Sequence, residues 1–223
     1  MRYLAAGLLM AATLPALADG QATLQSGSGQ NHATMEVHWA GSDLRMDFPG
    51  QDQAGFMLFK DGKGYMVSNM QGQTVILELA KLKAMAEGMG GGESQAAIAS
   101  QQASEVTALE PTGETETVAG VEGDVYRMTW TDKGGTSHED TLVLSDAAAV
   151  RELSERFDAY QQSVTGEPDA IATTLADREL GLLRFGERFR LTSLSDASPS
   201  PEAFELPEDA LTMEEMMRNA ISQ

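Results

Sequence analysis

The sequence predicts an α+β fold, mainly antiparallel β: a curved sheet or incomplete β-barrel of about eleven strands, with short helices forming a lid. Three observations predict it. Run after run alternates apolar and polar residues with a period of two, short turn signals such as Asp61-Gly62 and Gly186-Glu187 separate the runs, and a few segments carry an apolar stripe at helical spacing.

The first element is a leader. Arg2 supplies a positive start, Leu4 to Leu14 an apolar stretch, and Ala16-Leu17-Ala18 a small-residue cleavage site, so residues 1–18 read as a secretory signal peptide. The apolar run falls short of the roughly 20 residues needed to span a bilayer, and Pro15 and Asp19 close it. A periplasmic protein is expected, not an integral membrane protein, with 19–223 forming one domain. There is no cysteine, so neither a disulfide nor an N-terminal lipid is available. The formal net charge is −19, and loss of Arg2 makes it one unit more negative. Such a surface repels phosphate backbones, which excludes nucleic acid as an expected partner.

Met35, Val37 and Trp39 alternate with Glu36 and His38. After Ala40-Gly41-Ser42, Leu44, Met46 and Phe48 alternate with Asp43, Arg45 and Asp47, giving an antiparallel hairpin. Residues 55–79 hold three more runs around Asp61-Gly62 and Gly72, and FMLF and TVILEL are apolar on both faces, so a cover over the sheet is expected there. A strand from Glu114 to Ala119, a turn over Gly120 to Gly123 and a partner strand carrying Tyr126, Met128 and Trp130 on one face follow. HEDTLVLS is the next strand. LGLLRF and RFRLTSL close the series across Gly186-Glu187, which suits a type II′ turn.

Three helical segments are expected. Leu79, Leu82, Met85 and Met89 start one that dissolves into a Gly/Ser/Gln-rich stretch, and 86–105 reads as a flexible flap. Ser145 or Asp146 caps a second, with Val150, Leu153, Phe157 and Tyr160 as its apolar stripe. Thr212 and Glu215 form a capping box before Met213, Met216, Met217 and Ile221.

The order SDLRMDF, FKDGKGYMV, TGETETVAGVEGDVYRMTW and FELPED, behind a signal peptide, resembles a secreted bacterial family of unknown function related to the periplasmic lipoprotein carriers (LolA/LolB-like). The resemblance implies an incomplete barrel with a helical lid. Gly123 departs from it, because the family often carries Cys in that turn.

No catalytic constellation emerges. Gly88 to Gly92 lacks the Lys-Ser/Thr of a phosphate loop, no G-x-S-x-G occurs, and His32, His38 and His138 have no metal-ligand spacing. No cofactor or metal is expected, and the chain reads as a non-enzyme. Met85, Met89, Met213, Met216 and Met217 are lid candidates; soft thioethers also suit Cu(I), but apolar packing on short amphipathic helices accounts for them. Arg178, Arg184, Arg188 and Arg190 concentrate positive charge in an acidic chain. They are either paired internally with carboxylates or available as anion contacts at a cavity rim.

The expected function is a binding protein sheltering a lipid, an acyl chain or a lipidated partner, with Trp39, Met46, Phe48, Tyr126, Met128 and Trp130 as cavity candidates. The alternative is an envelope interaction module whose cavity is filled by its own side chains.

Overall fold

A computed structural model describes residues 19–28, 31–50, 55–70, 72–88 and 102–221. The expected leader at 1–18 and positions 89–101 of the expected flap lie outside them.

Among the described residues, twelve strands form one sheet. β1 (Gly20–Ser28), β2 (Asn31–Ala40), β3 (Asp43–Asp47), β4 (Gly55–Lys60), β5 (Lys63–Met70) and β6 (Gln73–Glu78) make one meander. β7 (Ala103–Val118), β8 (Val121–Asp132), β9 (Ser137–Ser145), β10 (Gly181–Phe185) and β11 (Phe189–Ser195) make a second. β1 pairs antiparallel with β11 and joins the two. With β12 (Leu211–Thr212) the order is β12-β6-β5-β4-β3-β2-β1-β11-β10-β9-β8-β7. β12 adds the only parallel pair among the described strands, at the β6 edge. The outermost strands β12 and β7 are not paired with each other, so the sheet is open.

It is also strongly curved. Arg184 of β10 and Arg190 of β11 both donate to Glu116 of β7 at 2.9 Å. β7 and β11 are four strand spacings apart, about 19 Å on a flat sheet. Only curling of β7 toward β11 brings these side chains together.

The turns follow the local chemistry. Asp61 and Gly62 both have positive φ, as a type I′ hairpin requires. At Gly186-Glu187 the φ of Gly186 is +53°, and Arg188 N–H donates to Phe185 O at 3.0 Å, as in a II′ turn. The expected turn over Gly120 to Gly123 moves: the turn residues are Ala119 and Gly120, both at positive φ, and Gly123 sits buried inside β8. A Cβ on Gly123 would lie 2.7 Å from Leu144 O, so the strand tolerates no side chain there.

Two further expectations are corrected. β7 begins at Ala103, not Glu114, and takes in the end of the expected flap. Register shifts between Ala103 and Glu105, Val106 and Ala108, and Pro111 and Thr115 interrupt its alternation, so a period of two does not register. Those bulges, Pro111 and several glutamates also blunt a 16-residue edge strand against chance pairing.

Four α-helices occur among the described residues rather than three: α1 (Leu79–Gly88), α2 (Ala148–Thr165), α3 (Ala170–Asp177) and α4 (Met213–Ile221). The N-cap of α2 is Ala147, and Ser145 belongs to β9, accepting the Ala147 N–H from outside the helix. The Thr212/Glu215 box closes as expected, with Thr212 N–H donating to Glu215 at 2.9 Å and Glu215 N–H to Thr212 Oγ1 at 3.3 Å. α2, about 27 Å long, touches β10, β3 and β5 and so runs across the sheet.

Two buried clusters hold these layers. Leu24, Val37, Trp39, Leu44 and Met46 pack with Val150 and Leu153 of α2. Leu109, Met128, Trp130, Leu142 and Leu144 pack with Leu175 of α3. Within β9 the alternation divides between them, Val143 joining the first and its neighbours the second, so both sides of that strand are covered.

Candidate functional site

A cleft at α2 and α3 combines polar and apolar walls. Its walls come from two stripes on one helix. Arg151, Ser154, Glu155, Asp158 and Gln162 recur at three- and four-residue spacing and face α3, while Leu153 and Phe157 turn toward the sheet. Opposite them α3 presents Ala172 and Ala176, whose small side chains leave space.

Two cavities result. The outer one, about 360 Å³, lies between the helices; the inner one, about 330 Å³, reaches the sheet at Leu24, Met35, Leu182 and Phe189. They share Ser154, Asp158, Ala172 and Leu175, so they adjoin at those residues.

Local bonds set its frame. Ser154 Oγ donates to Val150 O and accepts Leu182 N–H at 2.9 Å, tying α2 to β10. Gly181 allows that approach, since any Cβ there would collide with the backbone of Val150 and Arg151. Asp169 caps α3 by accepting Ile171 and Ala172 N–H through Oδ1, and it accepts Ala103 N–H through Oδ2 at 3.0 Å. Tyr160 donates to Met57 Sδ at 3.1 Å and meets Phe59 edge-on, anchoring α2 over β4; burial raises its phenol above the usual pKa.

Asp158 differs from these groups. Its Oδ2 accepts Gln162 Nε2 at 3.1 Å, but its Oδ1 is buried with no protein donor among the described residues. Burial, and then the charge of Asp169, push its carboxyl above the ordinary range.

The sequence-predicted cavity residues lie elsewhere. Trp39 and Met46 are enclosed in the first cluster, and Met128 and Trp130 in the second. Trp130 also donates to Asp140 at 2.8 Å and stacks on His138. Tyr126 is half-buried beside the second cluster, and Phe48 lines a separate cavity of about 250 Å³ with Phe56, Met57 and Met66. None of the six lines the α2–α3 cleft.

Among the lid candidates, Met85 is half-buried on α1, and Met213 and Met216 on α4, which packs at the β12–β6 edge. Met89 lies outside the described residues, as does the side chain of Met217.

The arginines are engaged with the protein itself. Arg184 and Arg190 share Glu116, Arg188 pairs with Asp140 at 2.6 Å, and Arg178 donates to Leu109 O at 2.8 Å. Burial pushes the Glu116 carboxyl up, but the hydrogen bonds and charges of the two arginines outweigh it and hold the group below the ordinary range. Among the described residues no group of three or more His, Asp or Glu could hold a metal ion. None of the described helices is long and apolar enough to cross a membrane.

The sequence does not reveal the cleft, because it gives little sign of α3. Asp169 before AIATTLA is an N-cap signal, yet eight residues with adjacent threonines make a weak helix in isolation.

No family model matches the chain, and no curated protein matches it. A crystal structure of an uncharacterised conserved protein from Thermus thermophilus aligns over 88% of this chain and 90% of its own, at 13% identity and a TM-score of 0.44. The functional reading therefore rests on this chain's own cleft.

Proposed function

We propose that this is a non-enzymatic periplasmic binding protein that shelters a lipid, an acyl chain or a lipidated partner in the cleft between α2, α3 and the curved sheet. One observation carries the reading: a cavity of about 330 Å³ whose walls include Leu24, Met35, Phe157, Leu175, Leu182 and Phe189. Ligand sites run from about 300 to 1,000 Å³, so this one suits a single chain rather than a bulky multi-chain lipid. Burial of alkyl surface, at about 25 cal/mol per Å², supplies the affinity. The small wall helix α3, pinned by Asp169 and Leu175, is the element whose displacement admits the chain.

The experiment is binding of the neutral dye N-phenylnaphthylamine, read by fluorescence, together with native mass spectrometry of protein recovered from a bacterial periplasm. Ala172→Phe fills the shared part of the cleft without touching the α3 cap, which uses only backbone groups of residue 172. The wild type is expected to bind dye and Ala172→Phe to lose it. Equal binding by a folded Ala172→Phe protein would refute the site.

A second reading is an envelope protein-protein interaction module with a self-filled cavity. It is favoured by the enclosure of Trp39, Met46, Met128 and Trp130, which leaves the hollow largely occupied by the protein itself. Capture of a defined envelope partner that survives Ala172→Phe, with no dye binding, supports that reading instead.

A further inference from the structure

The charges around the cleft are one-sided. Its ionisable side chains are Arg151, Glu155, Asp158, Asp169 and Glu179, four carboxylates against one guanidinium. Arg151 leans toward Glu179 at 3.8 Å and lines only the outer cavity. Although its Nε has no acceptor among the described residues, it stands two helical turns, about 10 Å, from Asp158. Both oxygens of Asp169 are used by backbone N–H groups. Asp158 alone is common to both cavities and holds a buried oxygen that no protein donor among the described residues reaches. It stands where the polar mouth meets the apolar floor.

We propose that the cleft selects single-chain amphiphiles with a protonated amine head, whose N–H groups close on the Asp158 carboxylate while the alkyl chain lies over Leu24, Met35, Phe157 and Phe189. This inference rests on the binding reading above and names its ligand class. An ammonium offers three donors and no acceptor, which suits a carboxylate whose lone pairs are only partly used. Its bond to Asp158 joins two opposite charges, whereas the hydroxyl of an alcohol would meet the carboxylate with no charge of its own. A fatty acid would instead bring a third carboxylate beside Asp158 and Asp169. The raised carboxyl of Asp158 agrees with a site short of positive charge. Three of the arginines suited to an anion, Arg184, Arg188 and Arg190, are already bound to Glu116 and Asp140.

The test compares three ligands with the same chain: dodecylamine, dodecanol and dodecanoate, each displacing N-phenylnaphthylamine from the purified protein at neutral pH and below its micellar range. Dodecylamine is expected to displace dye at a concentration about tenfold or more below dodecanol, with dodecanoate weakest. Asp158→Asn should erase the advantage of the amine, bringing its displacement concentration to that of dodecanol. If the amine and alcohol are equal in the wild type, or the carboxylate is best, the amine selectivity is overturned while the binding reading stands. An amine advantage that survives in Asp158→Asn overturns the role of Asp158. Failure of all three ligands and of the dye overturns both. The wild-type ranking decides the amine selectivity even if the variant does not fold.

Discussion

Replacing Glu116 by Gln probes the curvature of the sheet directly. Glu116 accepts from Arg184 Nε at 3.2 Å and Nη2 at 2.9 Å, and from Arg190 Nη1 at 2.9 Å. Hydrogen bonds to charged groups contribute about 1.5–3 kcal/mol each when shielded from water. Here the carboxylate retains 32% exposure and Arg190 44%, so solvent screening reduces their shares to those of surface pairs. Arg184, at 19%, is the least exposed partner and loses most when the carboxylate is neutralised. A total of about 1–3 kcal/mol follows, or a fall in Tm of about 2–10 °C for a domain of this size. The assay is urea denaturation of the wild type, Glu116→Gln, Arg184→Met and the double variant. The double variant should recover part of the loss, because no half-buried cation is then left unpaired. Because the folded carboxyl is held below its ordinary value, its contribution is present above the unfolded pKa and lost as pH falls through the folded one. The difference between wild type and Glu116→Gln should therefore vanish in acid. A loss below about 0.5 kcal/mol with no coupling to Arg184 would refute the claim that this triad holds β7 against β10 and β11.

Three other outcomes follow from the same contacts. Gly181→Ala drives a methyl into the backbone of Val150 and Arg151, so α2 must lift; a loss of about 1–3 kcal/mol in denaturant, with altered dye affinity, is expected. Asp158→Asn should raise Tm at neutral pH. The raised folded pKa means stability is fully present below the ordinary value of 3.8 and lost as pH rises through the folded value, so the gain should disappear in acid. Thr212→Ala removes the threonine hydroxyl from the capping box and should cost the C-terminal helix about 1 kcal/mol, visible as faster amide exchange in α4 alone.

Each prediction except the last depends on partners distant in sequence, and that separates what could be read from the chain from what could not. The Asp61-Gly62 and Gly186-Glu187 hairpins, the Met35 to Phe48 alternation and the Thr212/Glu215 box were legible because each is decided within a few residues, by φ preference, by period or by a side chain reaching its own backbone. The mainly antiparallel class followed from adding such local signals together. β7 was shortened because its bulges disrupt the period, and α3 was passed over because its stability comes from Leu175 packing and from Asp169 reaching both its own first turn and Ala103.

The apolar residues of the strands marked a buried face, but not whether that face lines a hollow or fills one. Trp39 and Met128 prove to be filling, while space remains where Ala172 and Ala176 oppose α2. By itself, then, the sequence determined the elements with short-range causes: the regularly alternating strands, most of their turns and the acidic, cysteine-free composition. Only the tertiary structure decided that β1 pairs with β11, that Glu116 meets arginines 68 and 74 residues away, and that Asp158 holds a buried oxygen that no donor among the described residues reaches. Those are facts of long-range packing, settled by which surfaces the curved sheet brings together.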